Sequence, residues 1–262
     1  MGAIKITNRY LKDITWLNYS GCNFKINADI DVWKIGVSAN LHLMADFFSI
    51  ISPDEVLRAN RFYQLKDRNR YIISRIILRM ILGKYLNLMP AAIQFSAGKN
   101  NKPQVKNIPP LKLEYNMSHS ADAILLAVSD SAIGADIEFI NQSFGFNEVL
   151  ADNFSVDEIN DINKAEPASR FFTMWTRKEA ITKATAQGLD CDLRLLPSLD
   201  GTYDVHEGVI ASEKDCLISS FNLNDQYVAS VAGNTLADKI TFWDAETVNN
   251  PEFFNFKHGF RP

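Results

Sequence analysis

The chain has 262 residues, enough for one large domain or two smaller ones with their own cores. Its composition is that of an ordinary soluble globular protein, and 27 basic against 31 acidic residues give a net charge of −4. The absence of a long apolar run, of an apolar core behind a basic start, and of any C-x-x-C among Cys22, Cys191 and Cys216 argues against a membrane span, an exported protein, a disulfide framework and a thiolate zinc site. A reducing, cytoplasmic setting is therefore expected. Met1-Gly2 opens like a myristoylation signal, but Ile6 stands where Ser or Thr is needed. The N-x-S sequons at Asn18, Asn116, Asn141 and Asn153 carry little meaning in a chain expected to stay inside the cell.

In chain order, the alternation of residues 31–37 predicts a strand. Ser52-Pro53-Asp54-Glu55 is a helix start, with Ser at the N-cap, Pro at the first helical position and Glu at the third. Helical spacing continues to residue 87, with a break expected near residues 64–67. Residues 96–110 hold Gly, Asn and three prolines and read as a loop. Strands are expected over 112–117, 123–129 and 132–139. Helices follow over 148–153, 156–164 and 168–186, the last stopped by Gly188. A hairpin over 216–222 and 226–232 turns at Asn224-Asp225, and 239–243 is a further short strand. The tail from Asn249 onward fits no element. Each half thus runs strand, long helix, hairpin, which suggests a duplication divided near Ile133, although no repeat stands out residue by residue. A cleft between two such halves is a usual place for a ligand.

Charge is unevenly spread. Residues 58–84 hold eight cations and one acid, Asp67, so this segment carries +7 and the rest of the chain −11. The ordinary reading is a solvated basic helix; the alternative is a polyanion site. Extended nucleic acid is disfavoured, because the chain is acidic overall and aromatics do not interleave with these charges. Two later segments carry chemistry. Asp136 and Glu138 share one face of a strand at i, i+2. Trp175, Glu179 and Lys183 share one face of a helix at i, i+4, i+8. Each segment alone is most simply a solvated surface. Together, three acids and a lysine on rigid elements suit a hard divalent cation gripping a phosphate. The run Tyr115-Asn116-Met117-Ser118-His119-Ser120 adds small polar groups and a His at a strand end.

The ordered set resembles one family. Ser52-Pro53…Arg58…Arg61-Phe62-Tyr63, Asn101-Lys102-Pro103, Tyr115 to Ser120, Gly134-Ala135-Asp136-Ile137-Glu138, Phe154-Ser155-Val156-Asp157-Glu158 and Trp175-x-x-Lys178-Glu179-Ala180-x-x-Lys183 follow the order and approximate spacing of a 4′-phosphopantetheinyl transferase of the surfactin-synthetase-activating type. The resemblance spans about residues 52–190. It implies an α+β fold of two similar α/β halves, 1–133 and 134–262, with the active site in the cleft between them. It implies Mg²⁺-dependent transfer of the phosphopantetheine arm of coenzyme A (CoA) to a serine of an apo acyl or peptidyl carrier protein, releasing 3′,5′-ADP. By the same resemblance, Asp136, Glu138 and Glu179 hold the metal, Glu158 is the general base, and Lys183 meets the phosphates. Arg58, Arg70, Lys102, Ser118, His119 and Lys183 contact CoA. Lys178 is a neighbouring match out of helix phase. Arg75 and Arg79 are open between ligand contact and structural ion pairing. A monomer is implied, because one chain holds both halves, and neither nucleic acid nor membrane is an expected partner.

Two departures from the family pattern occur. Asn101 replaces the Gly of Gly-Lys-Pro, and Asn tolerates left-handed backbone better than most residues. Ala186 replaces the first Gly after Lys183. Two other readings of the residues are a silent CoA- or carrier-binding module and a metal-dependent phosphohydrolase; the full set of acids and Lys183 speaks against the first.

Overall fold

A computed structural model describes residues 3–26, 28–106, 112–188, 191–206, 208–212, 214–234 and 239–249. Its elements run β1 (Ala3–Tyr10), β2 (Trp16–Asn18), β3 (Ile30–Gly36), α1 (Leu43–Phe47), α2 (Pro53–Ala59), α3 (Leu65–Leu86), β4 (Phe95–Ala97), β5 (Pro103–Val105), β6 (Glu114–Ser120), β7 (Ala123–Ser129) and β8 (Gly134–Phe139). They continue with α4 (Asn147–Asn153), α5 (Val156–Ile162), α6 (Pro167–Ala184), β9 (Gly201–His206), β10 (Cys216–Asn224), β11 (Tyr227–Asn234) and β12 (Ile240–Asp244). The expected tail beyond residue 249 and residues 107–110 of the expected loop lie outside the described residues. The described part of that loop is more ordered than its composition suggests: β4 and β5 pair across it as a small hairpin.

Two five-stranded sheets form, in the orders β2-β12-β3-β7-β6 and β8-β11-β10-β1-β9. The terminal strands cross over. β1 lies in the second sheet between β10 and β9, and β12 lies in the first, parallel to β2 and β3. A linear cut at 133/134 therefore parts each of these two strands from the sheet it belongs to.

The helices form for local reasons that tertiary packing completes. Ser52 and Ser155 each cap a helix start, and Glu55 and Glu158 reach back to the cap amide in a full capping box. The chain breaks between α2 and α3 at residues 60–64, close to the expected break. From Ile72 onward α3 is apolar nearly all round, so it is buried nearly all round, against Trp33, Ile35, Leu126 and Val128 of the first sheet. Burial of each such Ile or Leu stabilises the fold by roughly 1.5–3 kcal/mol. On the second sheet α6 packs over β8 and β11. Trp175 stacks on Phe171 in the cluster with Phe154, so it anchors the helix rather than facing a ligand.

Helix α6 ends earlier than its sequence suggests. Its last turn closes through Thr185, and Ala186, not Gly188, takes the first left-handed position at φ 51°. Asn101 likewise takes left-handed backbone at φ 61°, as its side chain allows.

Candidate active site

Strands β6 and β8 are edge strands of their sheets, and the two edges face each other. Unpaired edges invite foreign strands. Here the side chains of β6 cover β8 in steps of two. The Asn116 Oδ1 accepts from the Ala135 amide at 2.8 Å, the Ser118 hydroxyl donates to Asp136 at 2.8 Å, and the Ser120 hydroxyl donates to Glu138 at 2.8 Å. The period-2 alternation of both strands makes this ladder possible. The opposite face of β6, with Tyr115, Met117 and His119, turns toward α3.

Helix α6 closes the other side of the seam. It lies so close to β8 that a Cβ on Gly134 would collide with the Ala180 carbonyl and the Ala184 amide. Only glycine permits that approach. The approach brings Lys183 within 2.6 Å of Asp136, while helix spacing alone places it 3.8 Å from Glu179. Burial, reinforced by the Asp136 charge, pushes the Glu138 carboxyl up to about 7. Burial also raises Glu179, with Asp136 adding and Lys183 opposing. The Oδ2 of Asp136 is buried without a hydrogen-bond partner. Among the described residues the acids do not already converge as a ligand shell, since Lys183 stands against Asp136. The donor set nevertheless fits a hard dication: all three groups offer oxygen, negative charge exceeds what one lysine neutralises, and one buried oxygen has no partner.

Next to this seam runs a groove of about 950 Å³ between α2, α3 and the β4–β5 hairpin, with β6 as its wall. Arg58, Arg75, Arg79 and Lys106 line it against Asp54 and Glu55, so its charge favours an anion. Tyr71, Arg75 and Arg79 fall on one stripe of α3 at i, i+4, i+8, and Arg58 lies over the Tyr71 ring at 5.5 Å. His119 lines the same groove. The protein mass around its ring, then the cationic Arg70, hold its imidazole below the usual pKa although one side of it is open.

Comparison with known proteins identifies the builder of such a site. Residues 38–131 match the family described as 4′-phosphopantetheinyl transferase, N-terminal, and residues 132–232 match the 4′-phosphopantetheinyl transferase superfamily. The chain is 32% identical over 181 residues to the 4′-phosphopantetheinyl transferase HetI of a Nostoc species, covering 67% of this chain and 76% of that protein. It is 31% identical to the 4′-phosphopantetheinyl transferase psf-1 of Bacillus pumilus, covering 69% and 78%, and 26% identical to Sfp of Bacillus subtilis, covering 71% and 83%. The chain belongs to the 4′-phosphopantetheinyl transferase family. It is an enzyme that moves phosphopantetheine to carrier proteins, with CoA as the family's co-substrate.

The transferase gathers some of the expected residues and not others. Asp136, Glu138, Glu179, Lys183 and Ser118 meet at the seam, and Ser118 orients Asp136 there. Arg58 and His119 meet in the groove. Arg70 is outside the groove lining; it pairs with Asp67 at 2.7 Å and donates to the Ala121 carbonyl. Lys102 points away from the groove and donates to the carbonyls of Ile133 and Ala184, stapling the hairpin to the end of α6. Asn100 strengthens that staple through the Ala186 and Gln187 carbonyls.

Glu158, the general base that the resemblance implies, is enclosed. It is 2% exposed, and its carboxylate accepts from Lys178, from both the amide and hydroxyl of Ser198, and from the Ser155 amide. Lys178 adds bonds to the Leu193 and Leu196 carbonyls. A carboxylate filled from inside and sealed from solvent acts as a structural lock in this arrangement. Sequence reasoning passed over Lys106 and Tyr115 as groove residues and left Arg75 and Arg79 undecided. The i, i+4 phase of Arg75 and Arg79 with Tyr71 was the available signal.

Proposed function

We propose that the transferase uses Mg²⁺ and CoA to place the 4′-phosphopantetheine arm on a serine of an apo acyl or peptidyl carrier protein, releasing 3′,5′-ADP. The observation that carries this reading is the seam itself, where Asp136, Glu138, Glu179 and Lys183 adjoin a cationic groove. The nucleotide end of CoA occupies the groove, and the diphosphate lies toward the seam. Asp136, Glu138 and Glu179 would hold the metal, with Ser118 and Ser120 fixing the carboxylates from the β6 side. When bound, Mg²⁺ supplies charge neutralisation at the diphosphate. The serine oxygen attacks the phosphorus that bears the pantetheine, and the bond to the 3′,5′-ADP oxygen breaks. Lys183 is the cation at hand for that leaving oxygen. The serine proton is released to solvent, since Glu158, the base that the resemblance implies, is enclosed by Lys178 and Ser198. Because one chain supplies every part, the active species is a monomer, and the scattered free cysteines suit a reducing cytoplasm.

The test is direct. Wild-type protein incubated with CoA, Mg²⁺ and an apo carrier is expected to add one phosphopantetheine to the carrier, read by mass spectrometry, and to release an equal amount of 3′,5′-ADP. Release of 3′,5′-ADP without carrier modification would make the protein a hydrolase, and no turnover would make it a binding module.

A further inference from the structure

The β4–β5 hairpin belongs to neither large sheet. A two-stranded hairpin is marginally stable by itself in water, so the place of its tip depends on what the tip touches. This tip has two sides. Asn101 and Pro103 line the groove, whereas Asn100 and Lys102 turn the other way. The Lys102 ammonium donates to the Ile133 carbonyl at 2.9 Å and to the Ala184 carbonyl at 3.1 Å. The Asn100 side-chain amide donates to the Ala186 carbonyl at 3.0 Å and to the Gln187 carbonyl at 2.9 Å.

These acceptors stand at the ends of the elements that carry the seam. Ile133 directly precedes β8, the strand of Asp136 and Glu138, and Ala184 closes α6 directly after Lys183. The four bonds therefore join one wall of the groove to both elements of the seam. Charge suits the place, since the last carbonyls of a helix carry partial negative charge and an ammonium meets it. Backbone strain gathers at the same contact: Asn100, Asn101 and Ala186 are all left-handed, at φ 48°, 61° and 51°. Such conformations persist only where neighbours hold them. Asn101 and Ala186 also stand where the family pattern has glycine, so in this chain the bonds from Asn100, rather than the freedom of a glycine, fix the turn at Ala186.

We propose that Asn100 and Lys102 are positioning residues for the transfer: through them, a ligand held against the hairpin tip in the groove also fixes the ends of α6 and β8, and with them Lys183 against Asp136. The inference rests on the reading of the groove as the nucleotide site. Neither side chain touches the nucleotide; each acts through the hairpin tip.

Hydrogen–deuterium exchange of the purified full-length protein, with and without 3′,5′-ADP, tests the link over residues 95–103 and 183–188. In wild type, both stretches are expected to exchange about fivefold or more slowly with the nucleotide bound. Lys102→Met and Asn100→Ala are expected to keep the slowing over 95–103 and to lose most of it over 183–188. A bond with a structural role alone would change exchange equally with and without nucleotide. Transfer at saturating CoA and carrier is expected to fall about tenfold or more in Lys102→Met, with the KM for the carrier within about twofold of wild type. Slowing confined to 95–103 in wild type would overturn the proposal. Slowing over 183–188 that survives both variants would also overturn it, because the nucleotide would then act on α6 without the tip. If Lys102→Met does not fold, Asn100→Ala alone decides. No slowing in either stretch of folded wild-type protein would overturn the groove reading itself, and the link with it.

Discussion

The two halves of the molecule use the same short device for different ends. Ser52-Pro53-Asp54-Glu55 and Ser155-Val156-Asp157-Glu158 both open a seven-residue helix with a full capping box. In both, the glutamate at the third helical position is buried and grips a cation from the long helix that follows. In the first half that helix is α3, and one of its two arginines reaches the groove. In the second it is α6, and the one lysine that grips Glu158, Lys178, is sealed, with a side chain 0% exposed. The difference lies in what covers the pair. Ser198 and the carbonyls of Leu193 and Leu196 close over Glu158 and Lys178, whereas the groove leaves Arg75 open. The same motif therefore gives a groove-facing charge in one half and a structural lock in the other.

The largest effect expected from breaking this comparison is on stability. Lys178→Met strands Glu158 in the interior and is expected to cost about 3–5 kcal/mol. Arg75→Gln leaves Glu55 with Arg79 and the Ser52 amide and is expected to cost about 1–2 kcal/mol. Urea denaturation of both variants checks the contrast, and equal costs would remove it. The seam between the halves comes next. Gly134→Ala forces α6 away from β8, with an overpacking cost of about 1–3 kcal/mol. Transfer activity is expected to fall further than that loss of folded protein explains, because Lys183 and Glu179 move relative to Asp136. Normal activity in a folded Gly134→Ala variant would show that the close approach is not needed.

Acid sensitivity separates the open motif from the rest. Burial works to raise the Glu55 carboxyl, but Arg75, the Ser52 amide and Arg79 outweigh it and hold its pKa below the usual 4.5. A lowered folded pKa contributes stability that is present above the unfolded value and is lost as pH falls through the folded value. The stability gap between wild type and Glu55→Gln is therefore expected to hold at neutral pH and to shrink below about pH 4.5. A gap that stays constant into acid would contradict the charge role. The smallest effect belongs to Ala186. Alanine in left-handed backbone is strained, so Ala186→Gly is expected to raise stability by roughly 0.5–1 kcal/mol in thermal or urea melts.

What was legible in the sequence was local. Asp136 and Glu138 at i, i+2, and Glu179 and Lys183 at i, i+4, were readable because strand and helix periods fix which side chains share a face. The capping box at Ser52 was readable because all its partners lie within four residues. The exchange of β1 and β12 between sheets was not, because Ile6 pairs with Cys216 and Val32 with Phe242, some 210 residues apart. β1 was missed for a second reason: Asn8 occupies a buried position, bonded to the Pro197 carbonyl, and so breaks the apolar alternation. The place of Lys102 was hidden likewise, since its partners at Ile133 and Ala184 are set by tertiary packing. The enclosure of Glu158 was not legible because a motif position gives no burial. The same four-residue pattern at Glu55 shows that only the surrounding chain decides whether the acid's cation partner is sealed or reaches a groove.

The most direct test of this division between chemistry and lock is single-turnover transfer to an apo carrier by Asp136→Asn and Glu158→Gln, each normalised to folded protein by circular dichroism. Asp136→Asn is expected to lose about a hundredfold or more in rate. Glu158→Gln is expected to be less stable, yet to transfer within about tenfold of wild type when folded, since a base contribution of the general acid–base kind would cost more. A folded Glu158→Gln without activity beside an active Asp136→Asn would contradict the account.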